Sequence, residues 1–433
     1  MTSPPAVTGI RPSIPQTTID RTVLSMARRV GGNTMHIGAV LTFPGPAPSL
    51  EELAAHVAER LPLVPELTYR AAGTTRHPAW EPDPAFDLGR HLHRIDVDTT
   101  AVTATDAMVT AMHTPQLDPE RPLWGLWLIS TPDGWGLGYR SHHAFQDGLA
   151  GMRALRALFG PPTTMVRQCL TPPPARSGSD LGLGADMLPL LRPVGRWSPL
   201  DGPLDGRRVA HTVDTGLDRL RAISRSTGAS LNQICLAALA SVLRDWHPED
   251  WTGPDRSLRT GMGVSLRHPG APLLGNWAGV TYLDLPCGDA TPLDRLEKLR
   301  GQLTPARLRQ VRHRQALLYQ RLPYWCAQMG VHLTLNPRHV PLCVSDVPFP
   351  VPLTFNGVAA EGVYPLMVWP PRQPLFAAWS SYRDRMCVAF HTYDTLAGHD
   401  TLTALWTRAV DDLEQACGAV PHEAAAHGER TRG

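Results

Sequence analysis

Lysine is nearly missing from this chain: Lys298 is the only one in 433 residues, so forty of the 41 basic side chains are arginine. A coding bias toward Arg, Ala, Gly and Pro accounts for the skew, yet it excludes chemistry. A Walker-type phosphate loop needs Gly-Lys-Ser/Thr and a pyridoxal enzyme needs a Schiff-base lysine. Lys298 stands instead in LDRLEKLR, which reads as a solvated helix face. Paired cysteines are missing too. The seven, Cys169, Cys235, Cys287, Cys326, Cys343, Cys387 and Cys417, are an odd number without a CxxC, which argues for buried, reduced thiols of a cytosolic protein rather than zinc ligands or disulfides. SPLD, HPED and the other acidic or histidine pairs lack metal-ligand spacing. No run approaches the roughly eighteen apolar residues of a membrane span, and the opening MTSPPAVTGIRPSIPQ has no apolar signal segment. The expected location is cytoplasmic; contact with a membrane surface stays open, integral insertion does not. Finally, net charge is only +2 with scattered basic residues, so no footprint for nucleic acid is expected.

What is present is a chain long enough for about two or three domains, with an ordinary apolar share of 42%. After a polar leader (residues 1–18), IDRTVLSMARRV has helical spacing, MHIGAVLTF reads as a strand and SLEELAAHVAERL as a helix opened by Ser-x-x-Glu. LWGLWLIS and WGLGYRSHH flank Pro-Asp-Gly, a hairpin signal. GLAGMRALRALFG returns to helical period and closes an N-terminal half at residue 160. Residues 161–205 hold nine prolines and five glycines and read as a crossover linker. A C-terminal half, 206–418, follows with a strand, two helices, strands at SLRTGMGVSLR, AGVTYLDL, PLCVSDV and MCVAFHTYD, and a last helix; 419–433 reads as a disordered tail. Strands and helices mix without a strict βαβ rhythm, which predicts an α/β or α+β layered fold.

Within GLGYRSHH a period of two puts Tyr139, Ser141 and His143 on one face and Arg140 and His142 on the other. The adjacent histidines point apart, which argues against one shared metal. The strand ends at His143, and Asp147-Gly148 starts a helix four residues on. So short a loop can hold one imidazole in a fixed tautomer at a cleft. Acyl transfer from a thioester to a hydroxyl needs the acceptor proton removed as the bond forms, and histidine titrates in the right range. No covalent nucleophile is called for, and GVSLR and GASLN each lack the second glycine of a Gly-x-Ser-x-Gly elbow. By the residues alone, a strand-terminal His-His pair is as readily structural, and Asp147 reads as a helix cap or ion-pair partner.

The run His142-His143-Ala-Phe-Gln-Asp147-Gly148 resembles the HHxxxDG signature of the CoA-dependent acyltransferases, which include chloramphenicol acetyltransferase and peptide synthetase condensation domains. Asp20 before an apolar helix, MHIGAVLTF, LDPERPLW, SLNQICLAALASVLRDW, GVSLR and LLGNWAG resemble, in order and spacing, the bacterial wax ester synthase/diacylglycerol acyltransferase family over residues 19 to 415. The resemblance implies two similar chloramphenicol acetyltransferase-like α/β halves with a tunnel between them. It implies His143 as general base and Asp147 as a structural residue orienting the loop through an arginine, with His142 and Gly148 in support. Arg267 in VSLR is either structural or the partner of Asp147, and Asn276 either shapes the tunnel or forms a turn. No cofactor is implied; the co-substrate would be acyl-CoA or an acyl-carrier protein thioester, and the acceptor a small-molecule hydroxyl.

Two segments depart from the family pattern. Ser345-Asp346-Val347-Pro348-Phe349 stands where Ser-Asn-Val-Pro-Gly is usual, and Ser381-Tyr382-Arg383-Asp384 where Ser-Tyr-x-Gly is common. Charge near the acceptor side, with Ser345, Asp346 and Ser381 as tunnel candidates, leads to the expectation of a polar or aromatic secondary-metabolite acceptor. Amide-forming condensation, storage-lipid synthesis and a non-catalytic acyl-binding scaffold are the alternatives. RHRQ at 312–315 reads as solvated helix or a contact for a donor phosphate.

Overall fold

The computed structural model describes residues 12–30, 34–74, 76–100, 102–132, 134–161, 185–253, 256–268, 271–321 and 323–418. Most of the leader, the centre of the crossover with Cys169, the whole tail and Asp133 of the hairpin turn lie outside the described residues.

The N-terminal part runs from Ile14–Pro15 (β1) through the helix Thr18–Val30 (α1), His36–Phe43 (β2) and Leu50–Arg60 (α2), then Tyr69–Gly73 (β3), Pro78–Pro82 (β4) and Leu92–Asp96 (β5). Ala104–Ala111 (α3), Trp124–Thr131 (β6), Gly134–His142 (β7) and Gly148–Phe159 (α4) complete it. Ser49 and Glu52 close a reciprocal capping box on α2, as Ser-x-x-Glu predicts. The expected hairpin is β6–β7, antiparallel with Thr131 opposite Gly134. Beyond the linker come Arg208–Gly216 (β8), Leu217–Thr227 (α5), Leu231–Trp246 (α6), Leu258–Ser265 (β9), Ala278–Leu285 (β10), Pro292–Gln302 (α7), Pro305–Arg321 (α8) and Tyr324–Thr334 (α9). Leu342–Asp346 (β11), Thr354–Phe355 (β12), Val358–Ala359 (β13), Gly362–Leu366 (β14), Leu375–Tyr382 (β15), Arg385–Tyr393 (β16) and Leu402–Ala416 (α10) follow.

Two mixed sheets organise these elements, β14-β2-β7-β6-β5 and β10-β9-β11-β15-β16-β8, beside small β1-β4-β3 and β12-β13 sheets. Each large sheet has its own buried apolar cluster. α6 is buried around most of its circumference, as its largely apolar sequence predicts. One strand changes sides: β14 comes from the C-terminal sequence yet pairs with β2 in the first sheet. Its Pro365 tolerates that position because β14 is an edge strand. Strand β15, a continuous apolar run at the centre of the second sheet, carries no period-two alternation that sequence reading could detect. Among the described residues no single helix is long and apolar enough to cross a membrane; the bent pair α5 and α6 passes by composition, but α6 is core.

Candidate active site

Strand β7 is the central strand of its sheet, between β2 and β6, and its sequence explains its surroundings. A Cβ on Gly136 or Gly138 would collide with the sulfur of Met108 or Met112, so these glycines let α3 lie against the strand. Arg140 and His142, on the predicted common face, turn into the same buried region. Arg140 donates to Nδ1 of His36 at 2.9 Å and to the Met112 carbonyl, and the His36 and His142 rings meet edge-on at 5.6 Å. On the opposite face the Tyr139 hydroxyl donates to Oε1 of Gln146 at 2.5 Å. The two motif histidines thus part company, as the alternation predicts.

Past β7 the chain turns sharply: the amides of Phe145 and Gln146 both bond to the His142 carbonyl, at 2.8 and 3.1 Å. His142 accepts the Ala144 amide on Nδ1 at 3.1 Å, and burial depresses its pKa to about 3, so it is a neutral, structural imidazole. The His143 amide is tied to the Met35 carbonyl at 2.7 Å, and its Nδ1 lies 3.2 Å from the Gln146 carbonyl. A carbonyl only accepts, so Nδ1 carries the proton and Nε2 is left as a lone-pair acceptor. Burial lowers the His143 pKa, opposed by the Gln146 carbonyl and the Asp147 charge. The ring is therefore neutral near pH 7.

Asp147 does two structural tasks. Its Oδ1 caps α4 by accepting the Ala150 amide at 2.9 Å, and both its oxygens meet Nε of Arg267 at 2.9 and 2.8 Å. Burial alone would raise its pKa; Arg267 and the amides of Ala150 and Trp277 overcome that and hold it below the usual carboxylate value. Arg267 also donates to the carbonyls of Pro272 and Gly275, and its side chain is wholly buried. The ion-pair reading of Arg267 is the one the geometry bears out. Every oxygen and nitrogen of this pair points at backbone or at its partner, which makes it a clamp between the β9–β10 connection and the motif loop.

That connection is held in a second way. Gly275, in the left-handed region at φ 80°, donates its amide to the Phe145 carbonyl at 2.8 Å, and Asn276 donates its own to Asp20 at 2.7 Å. Asp20 also accepts from Thr17 and from the Trp80 indole, and burial raises it to about 6. Asp20 thereby joins α1, β4 and the Asn276 turn, a role nothing in its local sequence announces.

His143 opens on a cavity of about 330 Å³. Its walls come from both halves: Ile19, Val23 and Met35 from the first, Ala278 and Val280 of β10 and side chains of α8 and α9 from the second. Asn276 reaches it as well, with its side-chain oxygen held by the Ala278 amide at 2.8 Å. Gln315 of the RHRQ run is bonded through its amide group to both backbone groups of Val280, so it seals the edge of β10. Arg314 pairs with Asp186, while Arg312 and His313 are exposed. Gly148 lies on the far side of the loop, with Val347 about 3.5 Å from where a Cβ would stand, beside a crevice of about 20 Å³.

The remaining tunnel candidates do not join this group. Ser345 is buried in β11, and Asp346 at that strand's end is exposed, in a recess whose protein atoms still raise its carboxyl to about 6. Neither they nor Ser381 line the cavity. Arg383 and Asp384 form the β15–β16 hairpin turn, with the Asp384 side chain largely in solvent. The charges behind the expectation of a polar acceptor are therefore outside the cavity, because strand alternation and a hairpin tip turn them away. HPED, given no metal-ligand spacing above, does bring His247, Glu249 and Asp250 together, but Asp250 is engaged by the amide and hydroxyl of Ser198.

Comparison with known proteins agrees with this layout. Residues 17–197 match the wax ester synthase/diacylglycerol acyltransferase catalytic domain and residues 274–414 the C-terminal domain of that family. A Mycobacterium tuberculosis protein named "Probable diacyglycerol O-acyltransferase tgs1" is 26% identical over 81% of this chain and 85% of its own length. The wax ester synthase/diacylglycerol acyltransferase from Marinobacter aquaeolei VT8 superposes with a TM-score of 0.64 at 22% identity, covering 94% of this chain and 100% of that one. The first condensation domain of the CDA synthetase gives 0.59 at 16%, over 95% and 98%. The chain is an O-acyltransferase that belongs to the wax ester synthase/diacylglycerol acyltransferase family.

Proposed function

We propose that this protein moves an acyl group from acyl-CoA to the hydroxyl of a lipid-like acceptor, with His143 as general base. The observation that carries the reading is a neutral imidazole, its Nδ1 proton spent on the Gln146 carbonyl, opening on an apolar cavity built from both halves. Nε2 takes the acceptor proton as its oxygen attacks the thioester carbonyl. The tetrahedral oxyanion then collapses, the carbon–sulfur bond breaks, and the leaving thiolate takes the proton from the imidazolium, giving an ester and free thiol. The amide nitrogen of Asn276 is the oxyanion donor, since the Ala278 amide fixes its oxygen and thus the direction of its N–H groups. Asp147 and Arg267 act as positioning residues. The reaction as written needs no metal or further cofactor.

An apolar wall favours an alkyl alcohol or diacylglycerol over a charged acceptor, because unpaired charge there is costly. The same M. tuberculosis relative is named for diacylglycerol acylation, in agreement. The test is product analysis by mass spectrometry with a series of acyl-CoAs, an acyl-carrier protein thioester, and four acceptors: a long-chain alcohol, a diacylglycerol, an aromatic alcohol and an amine. Ester products with the lipid acceptors and CoA donors are expected. Turnover confined to the amine or to the aromatic alcohol would overturn the acceptor assignment.

A further inference from the structure

Beside the apolar cavity lies a second hollow of opposite character, a recess of about 590 Å³ whose walls include Arg196, Trp197, Asn336, Arg338, Pro371 and Arg372. The chain runs directly from one to the other. Leu335 lines the cavity and Asn336 the recess; Val368 lines the cavity and Pro371 the recess. Val368 also stands close to the histidine: the amide of the next residue, Trp369, donates to the Thr34 carbonyl at 3.0 Å, and the carbonyl after that, Met35, holds the His143 amide at 2.7 Å. Arg372 is four residues on from Val368, so their Cα atoms are at most about 14 Å apart.

Backbone turns fix both arginine-bearing walls. Pro370 to Gln373 form a turn closed by the Gln373 amide on the Pro370 carbonyl at 3.3 Å, with Arg372 at its third position in the left-handed region, φ 62°. Glycine is usual there, and a side chain held in that conformation is backbone strain of the kind that gathers at ligand sites. The Gln373 side chain is buried and donates to the carbonyls of Val340 and Pro341, which ties this turn to the one carrying Arg338. In that second turn the Asn336 side chain accepts the Arg338 amide at 3.0 Å. The Arg338 carbonyl accepts the Val194 amide at 2.9 Å, which brings in the segment leading to Arg196 and Trp197.

Arg196 is paired with Asp201 at 3.3 Å, both largely in solvent. The side chains of Arg338 and Arg372 are exposed and have no acidic partner among the described residues. The recess thus offers two uncommitted guanidinium groups on rigid backbone, a donor set that suits phosphate.

We propose that the recess holds the phosphate groups of the CoA nucleotide, with Arg338 and Arg372 as their donors and the pantetheine arm running past Val368 to bring the thioester to His143. The assignment rests on acyl-CoA being the donor, and it fixes the side from which that donor enters. A thioester without the nucleotide gains nothing from the recess.

The test compares two donors with the same acyl group and acceptor: acyl-CoA, and the acyl N-acetylcysteamine thioester, which lacks the phosphates. In Arg338→Gln/Arg372→Gln, kcat/KM for acyl-CoA relative to the short thioester should fall roughly tenfold to a hundredfold, carried by KM, as expected for the loss of two charge-assisted contacts. The melting temperature should hold, because both side chains are in solvent. Arg196→Gln should move the ratio least, since its charge is already engaged by Asp201. Binding is read without turnover by calorimetry with adenosine 3′,5′-bisphosphate: wild type should bind it, less as salt is raised, and the double variant roughly tenfold more weakly or worse. A donor ratio unchanged in the double variant, or a wild type that does not bind the bisphosphate, overturns the proposal. So does inorganic phosphate that binds as tightly as the bisphosphate, which would make the recess a general anion site. Wild type that turns over neither donor counts against the acyl-transfer reading itself, and the calorimetry then decides for or against the recess.

Discussion

The two sides of the motif loop differ by more than tenfold in open space: about 330 Å³ where His143 faces out, and about 20 Å³ over Gly148. Both are bounded by side chains from each half of the chain. On the His143 side β10, α8 and α9 stand back and present a mostly apolar wall; on the Gly148 side Val347 and Phe349 close against Met152 and Tyr139. The smaller space suits about one water molecule. Of the two spaces, only the one beside His143 has room for an alkyl chain. On the proposed reading the loop supplies the base, and the second half leaves open space on only one of its two faces.

His143→Ala tests the open side most severely. Ester formation should fall about 10²- to 10⁴-fold while the melting temperature holds, since only a half-buried ring is lost. Near-normal turnover by a folded variant would take the base role away from His143; absence of turnover in the wild type itself, with acyl-CoA still bound, would return the scaffold reading. Arg267→Ala breaks the clamp shared by both sides. It leaves Asp147 buried and unpaired, and should cost about 3–5 kcal/mol in denaturant unfolding, with activity lost as the loop loosens. Arg267→Lys should keep only part of both, because a point charge cannot reproduce donation to Asp147, Pro272 and Gly275 together.

Filling the cavity should move the comparison without touching the base. Ala278→Leu is expected to raise KM for the longest substrates several-fold and to leave the shortest nearly unchanged; a uniform fall in kcat for all lengths would mean that Ala278 does not bound the chain. The pH profile probes the base directly. Because burial lowers its pKa, His143 stays neutral below the ordinary histidine value of 6.5, so the acid limb of kcat/KM should inflect below that pH. Stability has the same sign. His36, His142 and His143 are all depressed, so the unfolded chain binds more protons below about 6.5 and stability is lost progressively as pH falls from there. The smallest effect belongs to the closed side: a Cβ on Gly148 meets Val347 at 3.5 Å, ordinary contact, so Gly148→Ala should change stability by less than about 1 kcal/mol. A loss several times larger would show that the crevice over Gly148 must stay open.

Legibility in the sequence followed how local each signal was. The β6–β7 hairpin, the opposed faces of His142 and Arg140 against Tyr139, the cap at Asp147 and the periodic helix α4 are written within a few residues of one another, and the structure has them all. The bonding roles of Asp20, Gln146 and Gln315 were not legible, because their partners Asn276, Tyr139 and Val280 come from other elements; Gln315, within the RHRQ run read as solvated helix, is buried against β10 instead. The charges read as acceptor-side features show the converse. Asp346, Arg383 and Asp384 do not line the cavity beside His143, since whether a side chain enters a cavity depends on strand phase and turn placement.

By itself the sequence determined the chemistry that is available: an imidazole at a strand end, a capping acid four residues later, a single lysine outside any phosphate-loop motif, no CxxC pair, and α/β elements in two successive halves. Side-chain period and turn chemistry act over a few residues, so a linear reading reaches them. Only the tertiary structure decided that Arg267, 120 residues beyond Asp147, is its partner, that β14 crosses to the other sheet, and that α8 and α9 build an apolar wall beside His143. Those relations arise where two cores pack against each other, and no local pattern carries them.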